Sequence, residues 1–168
     1  MILVVNAVVV AEAVVQRVVD SLENILNFFR KQSFVIVSTL DKNKRIHSVA
    51  KGIAKIEDKK IYIMDLYKGN TYNNLKRNSI ISITAIDEEV FVGYTLKGRG
   101  KIIEKEKIKK EFLEEWEKRV ISRISKRLIK NLKKGSLRYH PEVKFPYPEY
   151  MIEFNIEEIV DLKPKHLS

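Results

Sequence analysis

The run Tyr67-Lys68-Gly69-Asn70-Thr71-Tyr72-Asn73-Asn74-Leu75-Lys76-Arg77-Asn78 gathers the side chains of this sequence best suited to hold a phosphate. A glycine followed by small polar residues reads as a helix start. There the first backbone N–H groups lack intrahelical partners and the dipole favours negative charge. A phosphate would use those donors, the Thr71 hydroxyl and an Asn amide, with Lys68, Lys76 or Arg77 adding charge. The same residues also suit a plain Asn/Thr cap on a short helix. What precedes the run favours the phosphate. Ser48, Ala50 and Lys51 on one expected strand, and Ile63, Met64 and Asp65 on the next, end near the helix start as an apolar floor with polar rims. Such a surface fits a planar aromatic cofactor carrying a phosphate tail.

Other reactive side chains form no constellation. His47 lies in the strand region, where a solvent-facing edge position, a phosphate contact and an acid–base role all fit it. Asp65 fits either a hydrogen bond from a cofactor ring or a cap on the loop after its strand. His140 and His166 are remote in sequence and lack carboxylate partners at ligand spacing. With zero cysteines, that argues against a zinc site and leaves no disulfide. No Ser/His/Asp arrangement or Walker loop occurs, and Gly93-Tyr94-Thr95-Leu96-Lys97-Gly98-Arg99-Gly100 is a strand motif, not a dinucleotide turn. No side chain stands out as a catalytic base, and no catalytic residue is assigned.

A chain of 168 residues, 45% of them apolar, fits a single domain over 1–168 with a full core. Its net charge of +10 favours anionic partners. The valine-rich stretch 1–19 is interrupted by Asn6, Glu12, Gln16 and Arg17, well short of the roughly 20 apolar residues that span a bilayer. It has no basic leader, so it reads as a buried or dimer-facing helix and not as a signal or anchor. A cytoplasmic location without membrane contact is expected.

The elements that must position these residues follow from periodicity. An N-terminal helix is predicted over about 8–31, from Val14, Val15, Val18, Val19, Leu22, Ile25, Leu26 and Phe29. Strands are predicted at 34–40, 45–56, 60–65, 80–86, 90–103 and 150–162, with turns at 41–44 and 57–59. A short helix fills 69–78. Gly93, Gly98 and Gly100 suit the bends of a small barrel. The fold class is therefore mainly β with peripheral helices.

A long basic helix is predicted over about 105–134, ended by Gly135. It carries a net +7 of the chain's charge, with Phe112, Leu113, Trp116, Val120, Ile124, Leu128, Ile129 and Leu132 on one stripe. Its lysines and arginines are mixed with glutamates and lack an aromatic platform, so nucleic-acid binding is not expected. A solvated face, steering of anionic ligands and closure over a pocket all fit it.

Four segments in order carry a family resemblance: Phe34-Val35-Ile36-Val37-Ser38-Thr39-Leu40-Asp41, Ile61-Tyr62-Ile63-Met64-Asp65, Lys68 to Asn78, and Gly93 to Gly100. The sequence resembles the pyridoxamine 5'-phosphate oxidase-like, FMN-binding split-barrel superfamily over about 26–103 and again at 150–162. The resemblance implies a six-stranded antiparallel split barrel. It also implies a homodimer with two FMN sites at the subunit interface and oxidoreductase chemistry on a small substrate. By the same resemblance, His47, Ser48, Val49, Ala50 and Lys51 lie along the flavin, and Ile63, Met64 and Asp65 line the ring and ribityl chain. Gly69, Asn70, Thr71 and Asn74 then hold the phosphate. Ser79 stands where the family commonly has proline. The tail 157–164 lacks the arginine and tryptophan that pyridoxal-phosphate-forming members carry, so vitamin B6 oxidation is not expected. A deazaflavin F420 reductase and a non-catalytic flavin or nucleic-acid binder are the alternatives.

Overall fold

The computed structural model describes residues 21–133 and 146–163. The described residues up to Lys31 and those from Gln32 onward belong to separate compact units. In the first, residues 21–31 form helix α1, with Ile25, Leu26 and Phe29 buried. Arg30 Nη1 bonds Glu23 at 2.5 Å and Asn27 at 2.7 Å along its polar side. The predicted helix residues 8–20, the Gly135 stop, His140 and His166 lie outside the described residues.

The second unit is built on one antiparallel sheet, β1 (Val35–Leu40), β2 (Ile46–Lys51), β3 (Ile53–Glu57), β4 (Lys60–Asp65), β5 (Ile80–Asp87), β6 (Val92–Glu104) and β7 (Tyr150–Asp161). The strand order is β2-β1-β5-β6-β7-β4-β3. Among the described residues seven strands stand where six are predicted, because the run 45–56 is divided at Gly52. Its first half pairs with β1 and its second with β4, which puts Lys51 and Ile53, either side of Gly52, at opposite edges of the sheet. A twisted sheet whose two edges are joined by one residue has to curl back on itself. The architecture is a curled antiparallel sheet with peripheral helices, mainly β as predicted.

Alternation puts the core on the concave side. Val37, Ile61, Ile63, Ile83, Leu96, Ile152 and Phe154 are fully buried, while Ile36, Ile46, Ile80 and Ile86 face outward. Two glycines of β6 permit close approaches. A Cβ at Gly98 would collide with the Asn155 carbonyl oxygen, where the β6–β7 register shifts between Lys97 and Gly98. At Gly100 it would lie 3.2–3.3 Å from Ile81, Ile152 and Leu75, so the glycine leaves room for Leu75 of helix α2 (Asn70–Arg77).

The basic helix starts later than predicted. β6 keeps pairing with β7 as far as Glu104 opposite Tyr150, and a 3₁₀ turn at 105–107 follows. Helix α3 (Lys110–Lys133) then buries Phe112 and Val120, with the Phe112 ring 4.6 Å from that of Tyr62. Among the described residues no helix is long and apolar enough to cross a membrane.

Candidate functional site

Helix α2 begins without a side-chain cap. Its N-cap is Gly69, and neither Asn70 nor Thr71 supplies the capping bond that an Asn/Thr cap requires. A Cβ at Gly69 would meet nothing within 4 Å, so the space ahead of the first turn is open. Backbone N–H groups at an uncapped helix start are the kind of donor that anions take.

The side of α2 packs beside β1 and β2. Thr39 and Asn74 are buried and joined by an Asn74 Nδ2 to Thr39 Oγ1 bond of 3.0 Å, which holds α2 against β1. Asn74 Oδ1 accepts from Arg77 Nη2 at 2.6 Å and aims that guanidinium. On the other side the β1–β2 hairpin is set by Asp41, whose Oδ1 accepts the backbone N–H groups of Asn43 and Arg45 at 2.8 Å each. Those bonds, the Arg45 one first, and the nearby guanidinium groups hold the Asp41 carboxyl below its usual range. The result is a pocket of about 430 Å³ between hairpin and helix, lined by Lys42, Arg45, His47, Asn70, Asn74 and Arg77 among others.

Three cationic side chains and a histidine against one carboxylate make this pocket a receiver for anions. Of the three bases proposed near the helix, only Arg77 lines it. Lys68 is turned toward Glu104, 2.8 Å away, which also accepts the Tyr72 hydroxyl at 2.7 Å. Lys76 lies over the Tyr72 ring, 5.9 Å from its centre.

A second, smaller cavity of about 150 Å³ lies at the other end of β2, lined by Ala50, Lys51, Met64, Asp65, Phe34 and Trp116 among others. His47 and Lys51 stand on the same face of β2, roughly 13 Å apart at the usual strand rise. Lys51 and Asp65 form an ion pair with side chains only 10% and 12% exposed. Tyr150, fully buried opposite Asp65 on β7, donates its hydroxyl to the same carboxylate oxygen. Burial, then the bond to Asp65, pushes the Tyr150 phenol far above its ordinary range, so it stays a neutral donor.

The expected site residues divide between these pockets. His47, Asn70 and Asn74 line the first, beside the open position at Gly69, and Ala50, Lys51, Met64 and Asp65 line the second. Thr71 is buried and lines neither. Ile63 is wholly within the core, and Val49 is half-buried between the two pockets. Ser48 points to the outer face, where its hydroxyl meets that of Ser38 at 2.9 Å. Sequence reasoning missed Lys42 and Arg45, legible only as turn and strand-start residues until the Thr39–Asn74 contact places the hairpin beside α2. It also missed Tyr150, which reads as one more aromatic in an apolar strand.

A family model described as pyridoxamine 5'-phosphate oxidase matches residues 21–145, three quarters of the chain. The chain belongs to the pyridoxamine 5'-phosphate oxidase-like split-barrel family. Among solved structures of that shape is the conserved Mycobacterium tuberculosis protein Rv2991, with a TM-score of 0.58 and 16% identity, covering 86% of each chain. General Stress Protein 26 of Bacillus anthracis gives 0.53 at 17%, covering 86% of this chain and 95% of that one. HupZ of Group A Streptococcus gives 0.54 at 18%, covering 78% and 86%. At these identities the likeness is one of fold alone. No curated protein matches.

Proposed function

We propose that this split-barrel family member binds FMN non-covalently and uses it as an oxidoreductase on a small substrate. The observation that carries the proposal is the cationic pocket between the β1–β2 hairpin and the side of α2, where Lys42, Arg45, His47, Asn70 and Arg77 line one space and Asn70 opens a helix that has no side-chain cap. Guanidinium groups and free helix-start amides are the donors a phosphate monoester takes. The ring would extend along β2 toward Ala50, Lys51, Met64 and Asp65, with Val49 and Gly69 on its path. The flavin supplies the redox chemistry; the protein supplies orientation and charge.

In this proposal β2 and β3 act as one strand and close the sheet into a six-stranded barrel. Two chains pair through the outer face, where Ile36, Ile46 and Ile80 are exposed around the Ser38–Ser48 bond. Exposed isoleucines on a sheet face are what a partner surface covers.

The experiment is the absorbance spectrum of the purified full chain, followed by release of any bound cofactor on denaturation. The two-banded spectrum of an oxidised flavin, with FMN in the supernatant, supports the proposal. A colourless protein that takes up no added FMN sinks it.

A further inference from the structure

The second pocket holds a polar chain that a cavity of its size does not need. Lys51, Asp65 and Tyr150 come from three strands, β2, β4 and β7, and meet at one carboxylate oxygen. β2 and β4 are not neighbours in the sheet, so the ion pair crosses from one part of the curled sheet to another. Withdrawing two charges from water costs several kcal/mol per ion, and apolar side chains would fill the same space without that cost. Both charges line the pocket beside Ala50 and Met64. The guanidinium of Arg123, also on the wall, is stacked 5.4 Å from the centre of the Phe34 ring.

We infer that the Lys51–Asp65 pair sets the electrostatic balance felt by a redox-active ring along this pocket, with Tyr150 as the positioning residue that holds Asp65. The inference rests on the FMN proposal. Reduction places extra negative charge on a flavin. An unbalanced ammonium at the pocket wall favours the reduced form, and an unbalanced carboxylate favours the oxidised form. Paired, the two nearly cancel. The Tyr150 hydroxyl draws charge from Asp65 and keeps its carboxylate turned toward Lys51.

The test is the midpoint potential of FMN bound to the full chain and to its variants. Asp65→Asn raises the potential and Lys51→Met lowers it. Each changes the ratio of affinities for reduced and oxidised FMN at least tenfold, which is about 30 mV for a two-electron couple. The double variant returns close to wild type. A purely structural pair would weaken FMN retention in both single variants without shifts of opposite sign. Shifts of one sign, or none, overturn the inference and leave the FMN proposal standing; wild-type protein that takes up no FMN overturns both. Should a single variant fail to fold, Tyr150→Phe keeps both charges and lowers the potential, because Asp65 then carries its charge unshared. An unchanged potential in that variant overturns the inference.

Discussion

Asn74 of α2 and Thr39 of β1 meet side chain to side chain over 3.0 Å, with both residues at most 3% exposed. This bond joins the helix that offers the anion donors to the strand whose hairpin brings the basic residues. Replacing Asn74 by Ala strands the Thr39 hydroxyl in the core and releases Arg77. A loss of about 1–3 kcal/mol is expected in denaturant unfolding, together with weaker FMN binding. Unchanged stability would mean that α2 is held by Leu75 packing alone.

Arg45 and Arg77 are predicted to read the phosphate and not the flavin ring. Arg45→Ala and Arg77→Ala should each weaken FMN binding about tenfold or more, the usual worth of a charge-assisted hydrogen bond. Affinity for riboflavin, which lacks the phosphate, should stay as in wild type. Equal losses for both ligands would place these arginines against the ring or in the fold.

Glu104 ties Lys68 and Tyr72 to the end of β6 and so steadies the entry to α2. The hydrogen bond from Lys68, then that from Tyr72, holds its carboxyl below the ordinary 4.5. A carboxylate with a depressed folded pKa stabilises fully above its unfolded value and loses that contribution as pH falls through the folded one. Glu104→Gln should therefore melt below wild type at neutral pH, and the gap should close as pH falls below 4.5. A gap that stays constant from neutral to acid pH would show that charge is not what Glu104 supplies.

Two glycines should respond in opposite ways. Gly98→Ala drives a methyl into the Asn155 carbonyl and should cost at least about 1–3 kcal/mol, as overpacking does. Gly69→Ala meets open space and should cost folding no more than about 1 kcal/mol at an N-cap. Its methyl would instead crowd an incoming phosphate, so FMN affinity should fall. Unaltered FMN affinity in Gly69→Ala would move the phosphate away from the helix start.

These predictions draw on parts of the molecule that were unequally legible in the sequence. Strand alternation and turn residues mark out the strands from β1 to β7, because a period of two survives wherever one face is buried. The division at Gly52 is not marked, since a strand that changes partners keeps its local pattern. The late start of α3 is set by β6–β7 pairing, a long-range contact that charge and periodicity do not report. Within the site, Gly69 and Asn74 stand in a recognisable motif. Arg45 and Tyr150 acquire meaning only from Thr39–Asn74 packing and from the register opposite Asp65. Thr71, the most inviting hydroxyl in the sequence, is buried, and Gly69 takes the N-cap position without a side-chain cap.

The most direct measurement is a paired titration of the full chain with FMN and with riboflavin at the same ionic strength. A pocket that reads the phosphate through Arg45, Arg77 and the start of α2 should bind FMN at least ~100-fold more tightly, about 2.8 kcal/mol. That preference should shrink as salt screens the charges. Equal affinity for the two ligands, or no binding of FMN at all, would contradict a phosphate site at the cationic pocket.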